Sequence, residues 1–132
     1  MARPSKHPVH PRDLALAVLK KSKKPMSAYD VLEKLSAHGI KGPPVIYRAL
    51  DALITQGIVH KIHATGAYIA CNCDANHDHA LSVLTICGDC LDVEELHDHG
   101  VIHHLEKLRG KGVPLRNHAV IELPITCESC AA

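Results

Sequence analysis

The chain has 132 residues and a formal net charge of +1, with six cysteines and twelve histidines, three tyrosines, no phenylalanine and no tryptophan. This length suits one compact domain or two very small ones, and a core so poor in aromatic rings buries modest area, so we expect a bound metal to support the fold. The sequence shows neither an apolar run of about 18 residues nor the apolar segment of a signal peptide, so we expect a cytoplasmic protein with no membrane span.

The charge is divided unevenly along the chain. Residues 1–70 carry 11 Lys/Arg and 4 Asp/Glu, a formal charge of +7, whereas residues 71–132 carry 4 and 10, a charge of −6. Such a division predicts two modules with different partners. The basic half is typical of a nucleic-acid-binding module, although a solvated basic surface has the same composition.

Two helices are predicted first. Apolar residues at helical spacing indicate a helix over Pro11–Lys21. Ser27 is a typical N-cap residue, and Asp30 three positions later can complement it, so a second helix begins there and ends at Gly39. The two apolar stripes consist of Leu14, Ala15, Val18 and Leu19, and of Val31, Leu32 and Leu35.

A third helix and a hairpin follow. Pro44 suits the first turn of a helix that Gly57 ends. The segments Ile58–Ile62 and Ala67–Ala70 then flank the turn H-A-T-G, which predicts a β-hairpin. Three short helices followed by a hairpin is the order of a winged helix-turn-helix, whose third helix enters the major groove of DNA. The face opposite the apolar stripe of that helix carries Tyr47, Arg48, Asp51 and Thr55.

The acidic half alternates strands with one helix. We predict strands over Leu81–Ile86, Leu91–Glu95 and Asn117–Leu123, and a helix over residues 98–111. Such strands can pair across a two-fold axis, as expected of a dimer that reads a palindromic site. The predicted fold class is α+β, with an N-terminal winged helix-turn-helix domain and a small C-terminal α/β dimerisation domain.

Two Cys-x-x-Cys pairs lie in the acidic half. They are Cys87/Cys90 and Cys127/Cys130, with 36 residues between them. Four thiolates in two such pairs are typical of a closed, tetrahedral, structural Zn²⁺ site. Two disulfides or a redox pair are the alternatives, but a redox motif needs no second pair and nothing in the sequence indicates an oxidising compartment.

Several segments together carry a family resemblance. They are S-A-Y-D-V-L-E-K-L, P-P-V-I-Y-R-A-L-D-A-L, Q-G-I-V-H-K-I and Y-I-A-C, followed by the two Cys pairs. From about Pro11 to Cys130 the chain resembles the ferric uptake regulator superfamily, and specifically its zinc uptake regulator branch. The resemblance implies a dimeric, zinc-responsive transcriptional repressor of zinc-uptake genes, with zinc as corepressor, and not an enzyme. It also implies a DNA-binding domain over residues 1–70, a hinge over 71–79 and a dimerisation and metal-binding domain over 80–132.

The resemblance also assigns residues to roles. Tyr29 and Arg48 match positions that contact operator DNA, and Tyr47 belongs to the same motif. About two zinc ions per subunit are implied, one held by the four paired cysteines and one, the regulatory ion, at the hinge. The implied regulatory ligands are His60, Cys71, His79 and Glu95.

Those ligands would lie on elements that otherwise move independently, so one ion could cross-link them. Because a thiolate ligand favours Zn²⁺ over Fe²⁺ or Mn²⁺, Cys71 sets the choice of metal. Taken singly, His60 could instead contact phosphate, Cys71 could be a buried thiol and Glu95 a solvated carboxylate. The expected partner is an A/T-rich palindromic operator.

Some alternatives stay open. His77 competes with His79, and Cys73 could replace Cys71; His77, Glu94 and His118 could also form a further metal site. A sensor of iron, manganese, nickel or peroxide on the same fold is the alternative function. A zinc enzyme is disfavoured, because a four-ligand site leaves no position for a reacting water and no H-E-x-x-H motif is present.

Overall fold

The computed structural model describes residues 9–71, 81–113 and 115–132. The N-terminal unit, residues 9–71, contains α1 (Pro11–Lys21), α2 (Ala28–Leu35) and α3 (Pro43–Thr55), followed by strands β1 (Val59–Lys61) and β2 (Tyr68–Ala70). A single turn of 3₁₀ helix, Ser36–His38, extends α2. No helix in the described ranges is long and apolar enough to cross a membrane.

Local signals position these helices as predicted. The Ser27 hydroxyl accepts a hydrogen bond from the Asp30 N–H (3.1 Å), and the Asp30 carboxylate accepts one from the Ser27 N–H (3.2 Å), which forms a capping box. Gly39 ends the second helical segment with a left-handed φ of 83°. Two prolines open α3 where their missing N–H groups are not needed.

The three helices and the hairpin enclose one aliphatic core. Its fully buried members include Leu19, Val31, Ile46 and Leu50, and Tyr68 of β2 closes it from the hairpin side. Met26 adds a backbone bridge to Tyr68, with N···O distances of 2.9 and 2.7 Å, and so widens the two-stranded sheet. This is the winged-helix arrangement predicted from the sequence.

The C-terminal unit, residues 81–132, is built around a three-stranded sheet. Its elements are β3 (Leu81–Cys87), β4 (Val93–Leu96), α4 (His99–Glu106), a 3₁₀ turn (Lys107–Lys111), β5 (Ala119–Ile125) and α5 (Glu128–Ala131). The strand order is β4-β3-β5, with β4 antiparallel and β5 parallel to β3. Because parallel neighbours need a crossover, the chain returns to β3 through α4.

One face of this sheet covers the hairpin. Leu84 on β3 is paired with Glu95 on β4 and with Glu122 on β5, so these three side chains form a row on the same face. Leu84 is fully buried in a second apolar cluster that also contains Ile62 at the end of the hairpin strand. The remaining members of that cluster are Ile86, Val93, Ala67, Ile69 and Val120.

The C-terminal elements differ from the sequence prediction in their bounds. The strand predicted from Leu91 begins at Val93, because Leu91 has a left-handed φ of 61° and belongs to the turn that carries Cys90. The helix predicted to residue 111 ends at Glu106 and tightens into the 3₁₀ turn. The last strand lies about two residues later than predicted, and the short α5 was not predicted.

A second contact joins the two units near the start of the hairpin. Gly57 has a φ of 77°, and an added Cβ would overlap the His118 ring, with Cε1 at 2.7 Å. Gly66, at the hairpin turn, has a similar φ of 74° but open space around the same position. A comparison of substitutions at Gly57 and Gly66 therefore distinguishes the cost of positive φ from the cost of disturbing the contact between the units.

We predict that Gly57→Ala destabilises the protein more than Gly66→Ala does. Both variants place a side chain at positive φ, which costs about 1–2 kcal/mol. Only Gly57→Ala also displaces His118, which adds roughly 1–3 kcal/mol of overpacking. Urea unfolding of the two variants measures the difference; equal losses of unfolding free energy would show that the His118 contact carries no weight.

Candidate metal centres

The four paired cysteines converge at one end of the sheet. Cys87 ends β3, Cys90 lies in the following turn, and Cys127 and Cys130 flank the start of α5, with all four sulfurs within 4.8 Å of one another. The Cys90 and Cys127 sulfurs are 3.8 Å apart. A tetrahedron with Zn–S bonds of about 2.3 Å has edges of about 3.8 Å, so this spacing fits zinc.

The electrostatics of the cluster favour the thiolate form of Cys87 and the protonated form of Cys90 and Cys130. All four cysteines are free thiols, so the two disulfides considered from the sequence are not formed. Hydrogen bonds from the backbone N–H groups of Cys127, Cys90 and Asp89 lower the pKa of Cys87 to about 6. The Cys127 nitrogen lies 3.4 Å from the Cys87 sulfur. Hydrogen bonds to the neighbouring sulfurs of Cys127, Cys87 and Cys90 favour the protonated form of Cys130 and so raise its pKa. A divalent cation would take the place of the shared protons and stabilise the thiolates.

A second cluster lies between the units. His60 of β1, Cys71 just after β2 and Glu95 of β4 each offer one ligand atom, all within 4.8 Å of one another. Glu95 Oε1 is 3.6 Å from His60 Nε2 and 3.5 Å from Cys71 Sγ. His60 is only 2% exposed. The cluster thus combines nitrogen, sulfur and oxygen donors, a set compatible with zinc.

Two further features bear on this cluster. The Cys71 sulfur binds a metal only as a reduced thiolate, so ligation depends on its redox state. The buried Ser82 hydroxyl of β3 lies 3.3 Å from His60 Nε2 and satisfies that nitrogen by hydrogen bonding. Metal ligation by the same nitrogen would displace this bond.

The remaining predicted ligands are His77, His79, Cys73, Glu94 and His118. His77, His79 and Cys73 lie outside the described residues, so the choice of fourth regulatory ligand stays a prediction. Glu94 points to the exposed face of β4, opposite to Glu95, and His118 lies against Gly57. Within the described ranges, only the Cys₄ and the His60–Cys71–Glu95 clusters gather three or more potential ligands.

The predicted DNA-binding side chains are all solvent-exposed on helices of the N-terminal unit. Tyr29 on α2 is 66% exposed and Tyr47 on α3 is 41% exposed, while Arg48 is exposed beside them. The opposite side of α3 is buried in the core. The face of α3 predicted to enter the major groove is therefore accessible to solvent, as a recognition helix requires.

Two polar residues of the sheet went unnoticed in the sequence. Ser82 and Glu122 both face the hairpin, and each is the single polar or charged residue within an apolar stretch of its strand, L-S-V-L and A-V-I-E-L. A polar side chain on the inward face of a strand needs a hydrogen-bonding partner, which is the signal that could have identified the buried Ser82 and the partly exposed Glu122. The partners themselves are 22 and about 58 residues away in sequence.

Comparison of the amino-acid sequence with known proteins identifies relatives over most of the chain. The model of the "Ferric uptake regulator family" matches residues 7–122. The zinc uptake regulation protein of Escherichia coli (strain K12) is 40% identical over 107 residues, which make up 80% of this chain and 61% of that protein. The chain therefore spans about three fifths of the length of this curated relative.

Solved structures of zinc uptake regulators are also similar to this chain. A zinc uptake regulator complexed with zinc and DNA superposes with a TM-score of 0.76 at 34% identity, over 96% of this chain and 83% of that one. The crystal structure of holo XcZur gives a TM-score of 0.73 at 31% identity, over 92% of this chain and 84% of that one.

Substituting one cysteine of each cluster should separate the two sites. We expect about two zinc ions per reduced wild-type subunit and about one in both Cys87→Ser and Cys71→Ser. Only Cys87→Ser should lower the melting temperature strongly, because a structural zinc contributes directly to folding. Elemental analysis and thermal unfolding monitored by circular dichroism measure both quantities. If the two variants lose stability equally, the distinction between a structural and a regulatory site is wrong.

Proposed function

Because the chain belongs to the ferric uptake regulator family, we propose that it is a zinc-responsive transcriptional repressor at promoters of zinc-uptake genes. Zinc is the corepressor, and the DNA-binding form is the one in which the hairpin lies against the sheet. Support comes from a relative named a zinc uptake regulation protein and from a solved neighbour complexed with zinc and DNA. We assign the chain no catalytic role.

One observation carries the proposal. The ligand atoms of His60 and Cys71 belong to the N-terminal unit and that of Glu95 belongs to the sheet, yet they lie within 4.8 Å of one another. A site completed only when the units are together binds metal better in that state than in the open one. Such a difference in affinity is what a ligand needs to shift a conformational equilibrium.

Each residue of this site has a separate task. His60 supplies a buried imidazole nitrogen, Cys71 supplies the soft donor once reduced, and Glu95 supplies a carboxylate oxygen with charge to balance a cation. When bound, zinc adds coordinate bonds between the two units. The nearby Ser82 hydroxyl keeps the imidazole nitrogen hydrogen-bonded when no metal is present.

The DNA-binding side of the proposal rests on α3 and on the basic charge of residues 1–70. Tyr29, Tyr47 and Arg48 are exposed on α2 and α3 of this unit, and their aromatic and guanidinium groups are suited to contact bases and phosphates. We propose residues 1–70 as the DNA-binding domain, 71–79 as the hinge and 80–132 as the dimerisation and metal-binding domain.

A homodimer would present two such surfaces to an A/T-rich palindrome. The strand β5 lies at the edge of the sheet, and its Leu123 and Ile125 are 41% and 39% exposed on the face opposite to Glu122. Exposed apolar residues on an edge strand are typical of a surface that pairs with a second copy.

Zinc should control DNA binding by the reduced protein. We expect protein that retains only its Cys₄ zinc to bind an operator-like A/T-rich palindromic duplex at least about tenfold more weakly than zinc-saturated protein, an allosteric coupling of typical size. Fluorescence anisotropy across buffered zinc concentrations measures this, with a scrambled duplex as control.

The same titration with Fe²⁺, Mn²⁺ and Ni²⁺ tests the alternative. Best recovery of binding with one of these ions would make the protein a sensor of that metal. Equally tight binding with and without the regulatory metal would contradict the proposed function altogether.

Arg48→Ala should weaken duplex binding without changing the metal content. Loss of a base or phosphate contact costs about 1–3 kcal/mol, or roughly tenfold to a hundredfold in Kd. Arg109→Ala removes the same charge from the C-terminal unit and should change Kd little. Lost zinc in Arg48→Ala, or equal effects of the two variants, would contradict a DNA contact at Arg48.

A further inference from the structure

We propose that Glu122 is a positioning residue, a carboxylate clamp that holds the hairpin turn on the sheet independently of metal and thereby sets the zinc affinity of the regulatory cluster. The inference rests on the proposed function for its effect on DNA. It assigns a role to a residue outside both metal clusters. The clamp itself is a feature of the contact between the two units.

The contacts of this carboxylate are short and paired. Glu122 Oε2 accepts a hydrogen bond from the His63 N–H at 2.7 Å, and Oε1 accepts one from the Ala64 N–H at 3.0 Å. Two consecutive backbone N–H groups of the hairpin turn thus bind both oxygens of one carboxylate. Hydrogen bonds to an ionised acceptor are stronger than bonds between neutral groups.

Glu122 lies at the opposite end of the same row of side chains as the proposed metal ligand Glu95, so the clamp can affect metal binding. Glu95, Leu84 and Glu122 form one row across β4, β3 and β5, facing the hairpin. Glu95 belongs to the metal cluster at one edge of the sheet, and Glu122 holds the turn at the other edge. Leu84 fills the space between them and is fully buried. The hairpin is therefore attached at both ends of the row, and a metal ion can strengthen only the attachment at Glu95.

The two attachments stabilise the same closed state. A clamp that favours closure raises the affinity for any ligand that binds only the closed state. Removing it should lower the apparent zinc affinity and the DNA affinity of protein that lacks the regulatory metal. Saturating zinc should restore most of the DNA affinity, because the metal then supplies the closure. A residue that contacts DNA directly would not be rescued in this way.

The test uses reduced, full-length Glu122→Ala and Glu122→Gln. Glu122→Ala should weaken regulatory zinc binding and DNA binding without regulatory metal by about tenfold, while Kd for DNA at saturating zinc changes less than about twofold. The affinities of Glu122→Gln for zinc and DNA should lie between those of wild type and Glu122→Ala. The amide oxygen of the glutamine can accept one of the two hydrogen bonds, but its NH₂ group cannot accept the other. Zinc competition against a chelator and duplex anisotropy give these values.

Glu106→Gln is the charge-matched control, since it removes one carboxylate from α4 in the same unit and should leave all three affinities unchanged. NMR signals of the His63 and Ala64 amides report the clamp directly and should move upfield in both Glu122 variants. Retention of the Cys₄ zinc and of the wild-type oligomeric state verifies folding; if Glu122→Ala fails to fold, Glu122→Gln carries the test.

Unchanged zinc affinity in the Glu122 variants would overturn the clamp, as would a loss of DNA binding that saturating zinc does not restore. These results are distinct from failure of the proposed function, which would appear in the wild-type protein as DNA binding that does not depend on zinc. The zinc-affinity and NMR measurements test the clamp even in that case.

Discussion

The contact between the hairpin and the three-stranded sheet is the constraint on which the arrangement depends. Its centre is apolar, with Leu84 and Ile62 both fully buried there. Apolar contact is favourable but non-directional, so by itself it would permit the hairpin to slide. The directional contacts lie at the edges, where Glu95 meets His60 and Glu122 binds the turn. The two carboxylates therefore fix the position of the hairpin on the sheet, and the apolar centre supplies most of the favourable free energy of the contact.

The two ligand clusters differ in which units supply their ligands. The Cys₄ cluster draws all four ligands from the C-terminal unit and joins the end of β3 to the start of α5. Because its sulfurs are already gathered within that unit, a metal bound there would contribute to the stability of the fold. The His60–Cys71–Glu95 cluster draws ligands from both units, so a metal bound there would help to hold the units together. Under the proposed function, this separation would let the protein exchange the second ion without unfolding.

Local chemistry made much of the fold predictable. The capping box at Ser27, the prolines that open α3 and the left-handed Gly39 are short-range signals, and the elements they bound are confirmed. Errors occur where distant residues decide. Leu91 adopts a positive φ, which a leucine sequence does not indicate, because it closes the turn that carries Cys90. The parallel pairing of β5 with β3 depends on a crossover that no short segment encodes.

The sequence by itself determined the types and local spacing of the chemical groups: two Cys-x-x-Cys pairs for a tetrahedral site, an exposed arginine on the third helix, and a histidine and a cysteine on the hairpin. These properties are local, since spacing of a few residues within a turn, helix or strand fixes which side chains share a face. Only the tertiary structure decided that Glu95, Leu84 and Glu122 form one row, and that Ser82 and Glu122 meet the hairpin. Strand register and the packing of one unit on another are set by residues far apart in the chain, so no local pattern contains them.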